Sequence, residues 1–289
     1  MVTPQSSSPA APTSGAPAAP ARPPRQMHEL TVTRVERLTP SLVRVYFSGA
    51  PAEVYAGLDA SDSYMKLYFS TNGDPVPFPL DLALIRDTRG PEAMPTQRTY
   101  SLREYLVESA EMAIDFVTHG DAGVAGPWAA QASPGDRLVV TSPGGGYAPA
   151  EDADWHLLIG DESALPAIAA GIERLPADAR GYALIEVQGP EHELELGAPA
   201  GVEVCWLHRG DQHAGTTRLL IDAVTELDWL PGQVHLFAHG EREAMKSLRP
   251  LVRERDIPRE RLSLSGYWAY GRTEDRFQAE KREPIGKIL

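Results

Sequence analysis

Arg98-Thr99-Tyr100-Ser101 puts a fixed cation, an aromatic face and a hydroxyl within one short extended segment. If the segment is a strand, Arg98 and Tyr100 share one face, while Ser101 turns to the other or lies at the strand end. A guanidinium there pairs with a diphosphate, a phenol packs beside a planar ring, and a hydroxyl reaches a ring nitrogen. Those are the demands of a flavin dinucleotide. The same four residues also describe an ordinary strand with a solvated arginine, so the motif takes its meaning from its neighbours along the chain.

Downstream, His119-Gly120-Asp121-Ala122-Gly123-Val124-Ala125-Gly126-Pro127-Trp128 brings glycines and small residues to a helical patch opened by Pro127. Glycine lets backbone N–H groups approach a diphosphate, and a helix start adds a partial positive charge worth about 0.3–1 kcal/mol. A flexible surface turn is the plainer reading. Further on, Asp161, Glu162 and Ser163 come after an apolar strand and precede a helix, where ligands gather in open α/β sheets. Capping of that helix by Asp161 or Ser163 is the simple alternative. His239-Gly240-Glu241 repeats the arrangement at a later strand end, so the two loops are expected to face one crevice. The Gly-x-Gly-x-x-Gly fingerprint of dehydrogenases is absent there.

The elements that must position these residues fall into two textures. Alternating β segments run through Glu29 to Arg37, Leu42 to Phe47, Ser63 to Phe69, Arg98 to Arg103, Met112 to Thr118 and Arg137 to Thr141. The Glu104 to Glu111 stretch reads as a short link that lets its flanking strands close part of a small barrel. Beyond Tyr147 the period changes. Continuous apolar strands (Trp155 to Ile159, Tyr182 to Val187, Val202 to Leu207, Val234 to Ala238, Leu262 to Tyr267) are interspersed with helical spacing over Ser163 to Leu175, Thr216 to Leu227, Glu243 to Arg255 and Thr273 to Glu283. The expected fold is therefore β followed by α/β. It has an N-terminal antiparallel β-barrel domain (27–148) and an α/β parallel-sheet domain with a C-terminal helical extension (149–289). Residues 1–26, rich in Pro, Ala and Ser, read as a disordered tail.

Composition narrows the function class. A chain of 289 residues accommodates two cores without disulfides or metals. Its formal charge of -13 argues against a nucleic-acid binder, while leaving room for local basic patches. Cys205, the single cysteine, sits in an apolar run and reads as part of a buried strand. No apolar run approaches the roughly 20 residues of a membrane helix, and the cytoplasm is the expected compartment.

Taken together, Arg98-Thr99-Tyr100-Ser101, the run Asp115 to Gly123, Trp128-Ala129, Pro134-Gly135-Asp136, Gly160 to Ile168, Ser265-Gly266-Tyr267-Trp268 and Gly271 to Asp275 resemble the siderophore-interacting proteins. This is the ferric-siderophore reductase family of the ferredoxin-NADP reductase-like superfamily. The resemblance covers Met27 to the C-terminus. Two departures stand out. The family often has Gly-Pro soon after His-Gly, whereas here Gly123-Val124 comes next and Gly126-Pro127 stands directly before Trp128. Ala269 and Tyr270 occupy a position that is usually basic.

The resemblance implies a flavin-binding first domain and an NAD(P)-binding-like second one, with noncovalent FAD, Arg98 at the diphosphate, Tyr100 packed on the flavin and Ser101 at its reactive edge. Thr99, Val117, His119, Gly120, Gly126 and Trp128 would complete the cofactor side. Asp161, Glu162, Ser163, Gly240 and Glu241 would line the nicotinamide side, and Tyr267 and Trp268 would come near the flavin. Lys66 matches a family lysine at the substrate mouth, with Arg272 and Lys281 as further candidates. A solvated helix face is the alternative reading of Lys281 and Arg282. NADH or NADPH is the implied donor, with ferredoxin as another, and a ferric siderophore the acceptor, reduced so that ferrous iron leaves. No resident metal, nucleic acid or membrane insertion is expected, and a monomer is. A general NAD(P)H-flavin oxidoreductase serving a protein partner, and a non-catalytic siderophore- or flavin-binding protein, are the rival readings.

Overall fold

The structure, a computed structural model, describes residues 25–120 and 123–288. The expectation for the Pro/Ala-rich tail falls, up to residue 24, outside the described residues. Seven strands build the first sheet: β1 (Met27–Thr39), β2 (Leu42–Ser48), β3 (Tyr64–Phe69), β4 (Thr96–Ser101), β5 (Glu104–Leu106), β6 (Glu111–Val117) and β7 (Arg137–Thr141). Their order is β4-β3-β7-β1-β2-β6-β5, and every named pairing is antiparallel. Alternation sends Leu30, Val32, Val43, Val45, Phe47, Met65, Leu67, Ile114 and Phe116 into one core.

This sheet curls like a barrel without closing by a continuous ladder. Leu102 N–H donates to Ser63 O on the β3 side, and the next residue, Arg103 N–H, donates to Ala113 O on the β6 side. The chain therefore changes neighbours directly after Ser101. Part of the expected link over Glu104 to Glu111 is itself β5, paired with β6 through Tyr105 and Met112. Three residues are too few to show a period, so β5 carries no sequence signal.

Five parallel strands make the second sheet: β8 (Trp155–Asp161), β9 (Arg180–Val187), β10 (Gly201–His208), β11 (Val234–Glu241) and β12 (Leu262–Trp268), in the order β10-β9-β8-β11-β12. The central strands β8 and β11 are buried along their whole length, which is why both read as continuous apolar runs. At the edge, β10 is only half covered. Cys205 is accordingly half-buried rather than buried, with its thiol pushed up to about 11 by burial and by Glu203.

Helices α1 (Ala52–Tyr55), α2 (Leu82–Arg89) and α3 (Ala125–Gln131) belong to the first half of the chain. In the second half lie α4 (Leu165–Ile172), α5 (Leu219–Glu226), α6 (Arg242–Ser247), α7 (Arg249–Glu254) and α8 (Glu274–Glu280). The helix expected over Glu243 to Arg255 is broken in two at Leu248, because Pro250 lacks the N–H that a continuous helix needs. Likewise α3 begins at Ala125, two residues before Pro127. The two sheets meet through Leu38, Leu42 and Val117, which pack on the same cluster as Leu158, Ile168, Phe237 and Tyr267. That junction sets the ends of β4 and β12 side by side.

Candidate flavin and substrate site

Strand β4 pairs with β3 in a register that sets Lys66 opposite Thr99 and Met65 opposite Tyr100. Cross-strand partners point to the same face, so Arg98 and Tyr100 share a face with Met65 and Leu67, while Thr99 shares the other with Lys66. Lys66 Nζ donates to Thr99 Oγ1 at 2.5 Å. Tyr100 lies 4.5 Å from Phe116 between ring centroids, Phe116 lies 5.8 Å from Trp128, and Trp128 touches Phe47 and Phe69. Trp128 thus joins α3 to the barrel core. Burial pushes the Tyr100 phenol up, against the pull of Arg98. Arg98 itself is lightly engaged: its Nη1 donates to Gln97 O at 2.8 Å and pairs with Asp275 at 3.4 Å, a rim carboxylate.

Beyond β6, His119 and Gly120 are exposed, and no side chain among the described residues caps the start of α3. Gly126 sits over the end of β6, where a Cβ would meet Val117 O at 3.1 Å. The Val117 side chain itself packs against the core between the sheets.

At the carboxyl ends of the parallel strands, Asp161 is a buried hub. Its Oδ1 accepts from Ser163 N and Oγ, and its Oδ2 accepts from Glu241 N and from Trp268 Nε1, both at 2.8 Å. Burial raises its pKa, and these donors pull it back. Simple capping does not describe this carboxylate, since α4 has no side-chain cap. Gly240 has φ +155, and a Cβ there would meet Asp161 Oδ2 at 2.7 Å, so only glycine leaves room for the carboxylate. Glu241 is taken up too: Oε2 caps α6 through Glu243 N and Ala244 N, and Oε1 accepts from Tyr270 N. Glu162 binds Arg209 at 2.6 Å and Ser41 of the β1–β2 turn at 2.5 Å, with His192 beside it. The oxygens of the three acids expected to line a nicotinamide crevice are therefore engaged within the protein itself.

Where the sheets meet, Tyr267 of β12 reaches Ser101 of β4. Burial and the Asp62 carboxylate push the Tyr267 phenol up, while a hydrogen bond with Ser101 works the other way. His239 supports Tyr267 edge-on at 4.9 Å and stacks on Phe237 at 3.9 Å. Lys66 and Lys281 converge nearby. Desolvation lowers both ammonium pKa values, Glu274 opposes it at each, and Lys66 acts further on Lys281. Much of Lys281 is exposed, yet its ammonium lies 4.6 Å over the Phe277 ring. Arg272 points elsewhere, donating to Glu280 at 2.9 Å. Glu280 also binds Arg242 and Arg276, and these three partners hold its carboxyl down at about 2.

Sequence reasoning missed Glu186 and Arg209, and gave no role of their own to His239 and Glu274, which it named only within His239-Gly240-Glu241 and Gly271 to Asp275. Glu186 and Arg209 stand at or just past strand ends, the same position that marked Asp161, while Glu274 left only a first-turn acid beside the Thr273 cap.

Residues 31–147 match the siderophore-interacting FAD-binding domain family, and residues 153–271 match the siderophore-interacting protein family. An uncharacterized protein of Mycobacterium tuberculosis is 46% identical over 272 residues, covering 90% of this chain and 96% of the relative. The ferric vibriobactin reductase of Vibrio cholerae is 32% identical over 257 residues, covering 87% of this chain and 93% of that one. The chain belongs to the siderophore-interacting protein family. Another relative, the NADPH-dependent ferric-chelate reductase of Escherichia coli, is 30% identical over 84% of this chain and 93% of its own. Among solved structures, a siderophore utilization protein from T. fusca superposes with a TM-score of 0.73 at 38% identity, over 86% of this chain and 95% of that one. A ferredoxin reductase of carbazole 1,9a-dioxygenase shares the fold alone, with a TM-score of 0.58 at 16% identity over 86% and 68% of the chains.

For this family member the residues present fit FAD. Among the described residues, the Arg98 fork pairs with no buried acid, no side chain caps the first turn of α3, and no atom lies within 4 Å of where a Cβ would stand on Gly120 or Gly123. A diphosphate needs that combination of a cation, unclaimed amides and open approach.

Proposed function

We propose that this protein is an FAD-dependent reductase of ferric siderophores, releasing Fe(II) in the cytoplasm. The observation that carries the reading is the placement of two lysines, Lys66 held by Thr99 of β4 and Lys281 held over the Phe277 ring, near enough for the charge of one to act on the other. Two cations whose charges act on each other, in a chain of charge -13, create a local field for an anionic chelate. The relatives named as reductases of ferric vibriobactin and of ferric chelates support it.

In this reading Arg98 and the amides around Gly120 and Gly126 hold the diphosphate. Thr99 fixes the Lys66 ammonium, Tyr100 and Tyr267 pack against the ring system, and Ser101 orients its reactive edge. When bound, FAD supplies the two-electron to one-electron conversion between a reduced nicotinamide and ferric iron. The protein's part is to position, to exclude water and to attract the chelate. Trp268, tied to Asp161, marks the donor side, and Glu162, Ser163 and Gly240 shape that crevice. We leave Arg272 out of the substrate set, since Glu280 engages it. The division at 148/149 assigns the flavin to the first sheet and the donor to the second. NADPH is the first choice of donor, in line with the name of the Escherichia coli relative, with NADH and ferredoxin as alternatives.

The test is an anaerobic visible spectrum of the purified protein, taken after NADPH, then NADH, then a ferric tris-catecholate. Bleaching and then chelate-driven recovery of colour is the expected course. Lys66→Met should raise the apparent KM for the chelate about tenfold with flavin content intact, as removal of a steering charge would. A colourless protein that takes up no FAD, or reduced protein that ignores every ferric chelate, overturns the reading.

A further inference from the structure

Along the edge strand β12, under α8, lies a hollow of about 370 Å³. Its volume falls at the lower end of the roughly 300–1,000 Å³ typical of small-molecule sites. Arg259, Lys281 and Lys287 line it over a floor that includes Ser265 and Phe277, and no carboxylate is among the described residues that line it. Three cations with no acid among the described lining residues are unusual on a chain with 40 acidic and 27 basic residues.

The wall is held in place. Segment 284–288 is tied down by Lys246 Nζ, which donates to Ile285 O at 2.6 Å, and by Arg249, which donates to Lys287 O and Ile288 O. Gly286 packs against the end of α8 so closely that a Cβ would meet Glu280 O. These anchors use backbone carbonyls, so the Lys287 ammonium forms no ion pair among the described residues. Arg259 commits Nη1 to Leu262 O at 2.7 Å and no other guanidinium nitrogen to a described partner. Lys281 belongs both to this hollow and to the group around Lys66 and Glu274.

We propose that this hollow is an anion subsite that takes one catecholate or carboxylate arm of the ferric chelate, with Arg259 and Lys287 as its specificity-determining residues. The inference rests on the ferric-reductase reading and extends its substrate site along β12. The hollow is too small for a whole tris-chelate and large enough for one arm. Chelates that carry negative charge on their arms gain from it, and neutral tris-hydroxamate complexes do not.

The experiment uses the full-length, FAD-loaded protein with Lys287→Met, Arg259→Met and the double variant, assayed with a ferric tris-catecholate and a neutral ferric tris-hydroxamate. Binding of the redox-inert gallium(III) tris-catecholate, monitored by tryptophan fluorescence, gives a readout that does not depend on turnover. For the double variant, KM and the gallium-complex Kd should rise about tenfold for the tris-catecholate, the loss expected on removing close charge partners. KM for the tris-hydroxamate, kcat and flavin content should stay within about twofold. Lys287 is exposed, so its single variant keeps the test valid if Arg259→Met folds poorly. Arg86→Met on the exposed face of α2 removes a charge elsewhere and should change nothing. Unchanged tris-catecholate constants, an equal rise for both chelates, or an equal effect of Arg86→Met would each overturn the subsite. In those cases a KM raised by Lys66→Met leaves the reductase reading standing, whereas failure of both chelates to reoxidise the wild-type protein removes that reading instead.

Discussion

Trp268 at the end of β12 donates its indole Nε1–H to Asp161 Oδ2 at the end of β8, 107 residues earlier in the chain. The same oxygen accepts Glu241 N–H from β11. One buried carboxylate therefore ties together the ends of three parallel strands.

Replacing Trp268 by Phe keeps most of the packing and removes that donor. A buried acceptor that loses a partner costs about 1–3 kcal/mol. Urea unfolding of Trp268→Phe should show a loss in this range, and Asp161→Leu, which leaves both the Glu241 amide and the indole unpaired, should lose more. Equal stability of wild type and Trp268→Phe would mean that the indole bond contributes nothing net.

The loop after β10 rests on the same tryptophan. Gly215 has φ +78, and a Cβ there would lie 2.8 Å from both the Trp268 ring and Glu241 Cγ. Gly215→Val should destabilise the protein by about 1–3 kcal/mol through backbone strain and overlap. It should also shift tryptophan emission to the red as the loop lifts. An unshifted spectrum would show that the loop accommodates the side chain in place.

Arg98 is predicted to hold the cofactor rather than the fold. Its one carboxylate partner among the described residues, Asp275, is largely exposed, so Arg98→Ala should leave the unfolding midpoint nearly unchanged. A charge-assisted contact worth about 1.5–3 kcal/mol converts to a loss of about 10- to 150-fold in FAD affinity. Equilibrium dialysis against FAD reads this directly, and stoichiometric FAD in dilute Arg98→Ala would remove Arg98 from the diphosphate.

His239 gives the stability a pH dependence. Burial, then Lys281, lowers its imidazole from 6.5 to about 3. The unfolded chain therefore binds a proton that the folded chain refuses between these values. The stability linked to His239 is complete above pH 6.5 and is lost as pH falls toward about 3, with a slope of at most about 1.4 kcal/mol per pH unit. His156, lowered to about 4 mainly by burial, acts in the same direction. Chemical denaturation at pH 5 and pH 7.5 should show His239→Phe losing less stability on acidification than wild type. Parallel curves would assign the acid sensitivity to other groups.

Much of the architecture was legible because the two halves obey different periods. Strands β1 and β3 alternate over part of their length, as at Leu30 to Val32 and Met65 to Leu67, while β8 and β11 are covered on both sides and read as unbroken apolar runs. Helices α1 and α2 were not legible: each buries a single residue, Tyr55 or Ile85, and so shows no apolar stripe.

Residue types and their order along the chain determined the candidate chemistry: a cation, ring and hydroxyl at Arg98 to Ser101, a glycine-rich turn, and acids at strand ends. Tertiary structure alone decided what each group is free to do. Asp161, Glu162 and Glu241 look like ligand groups in the sequence, yet their oxygens are engaged by Trp268, Arg209, Ser41 and backbone amides. Lys66, Arg272 and Lys281 are equal candidates for the substrate mouth in the sequence, yet the packing lets Lys66 act on the Lys281 charge and turns Arg272 to Glu280. Local sequence encodes period and side-chain type. Charge and hydrogen-bond availability depend on distances between residues far apart in the chain, and only the packed sheets set those distances.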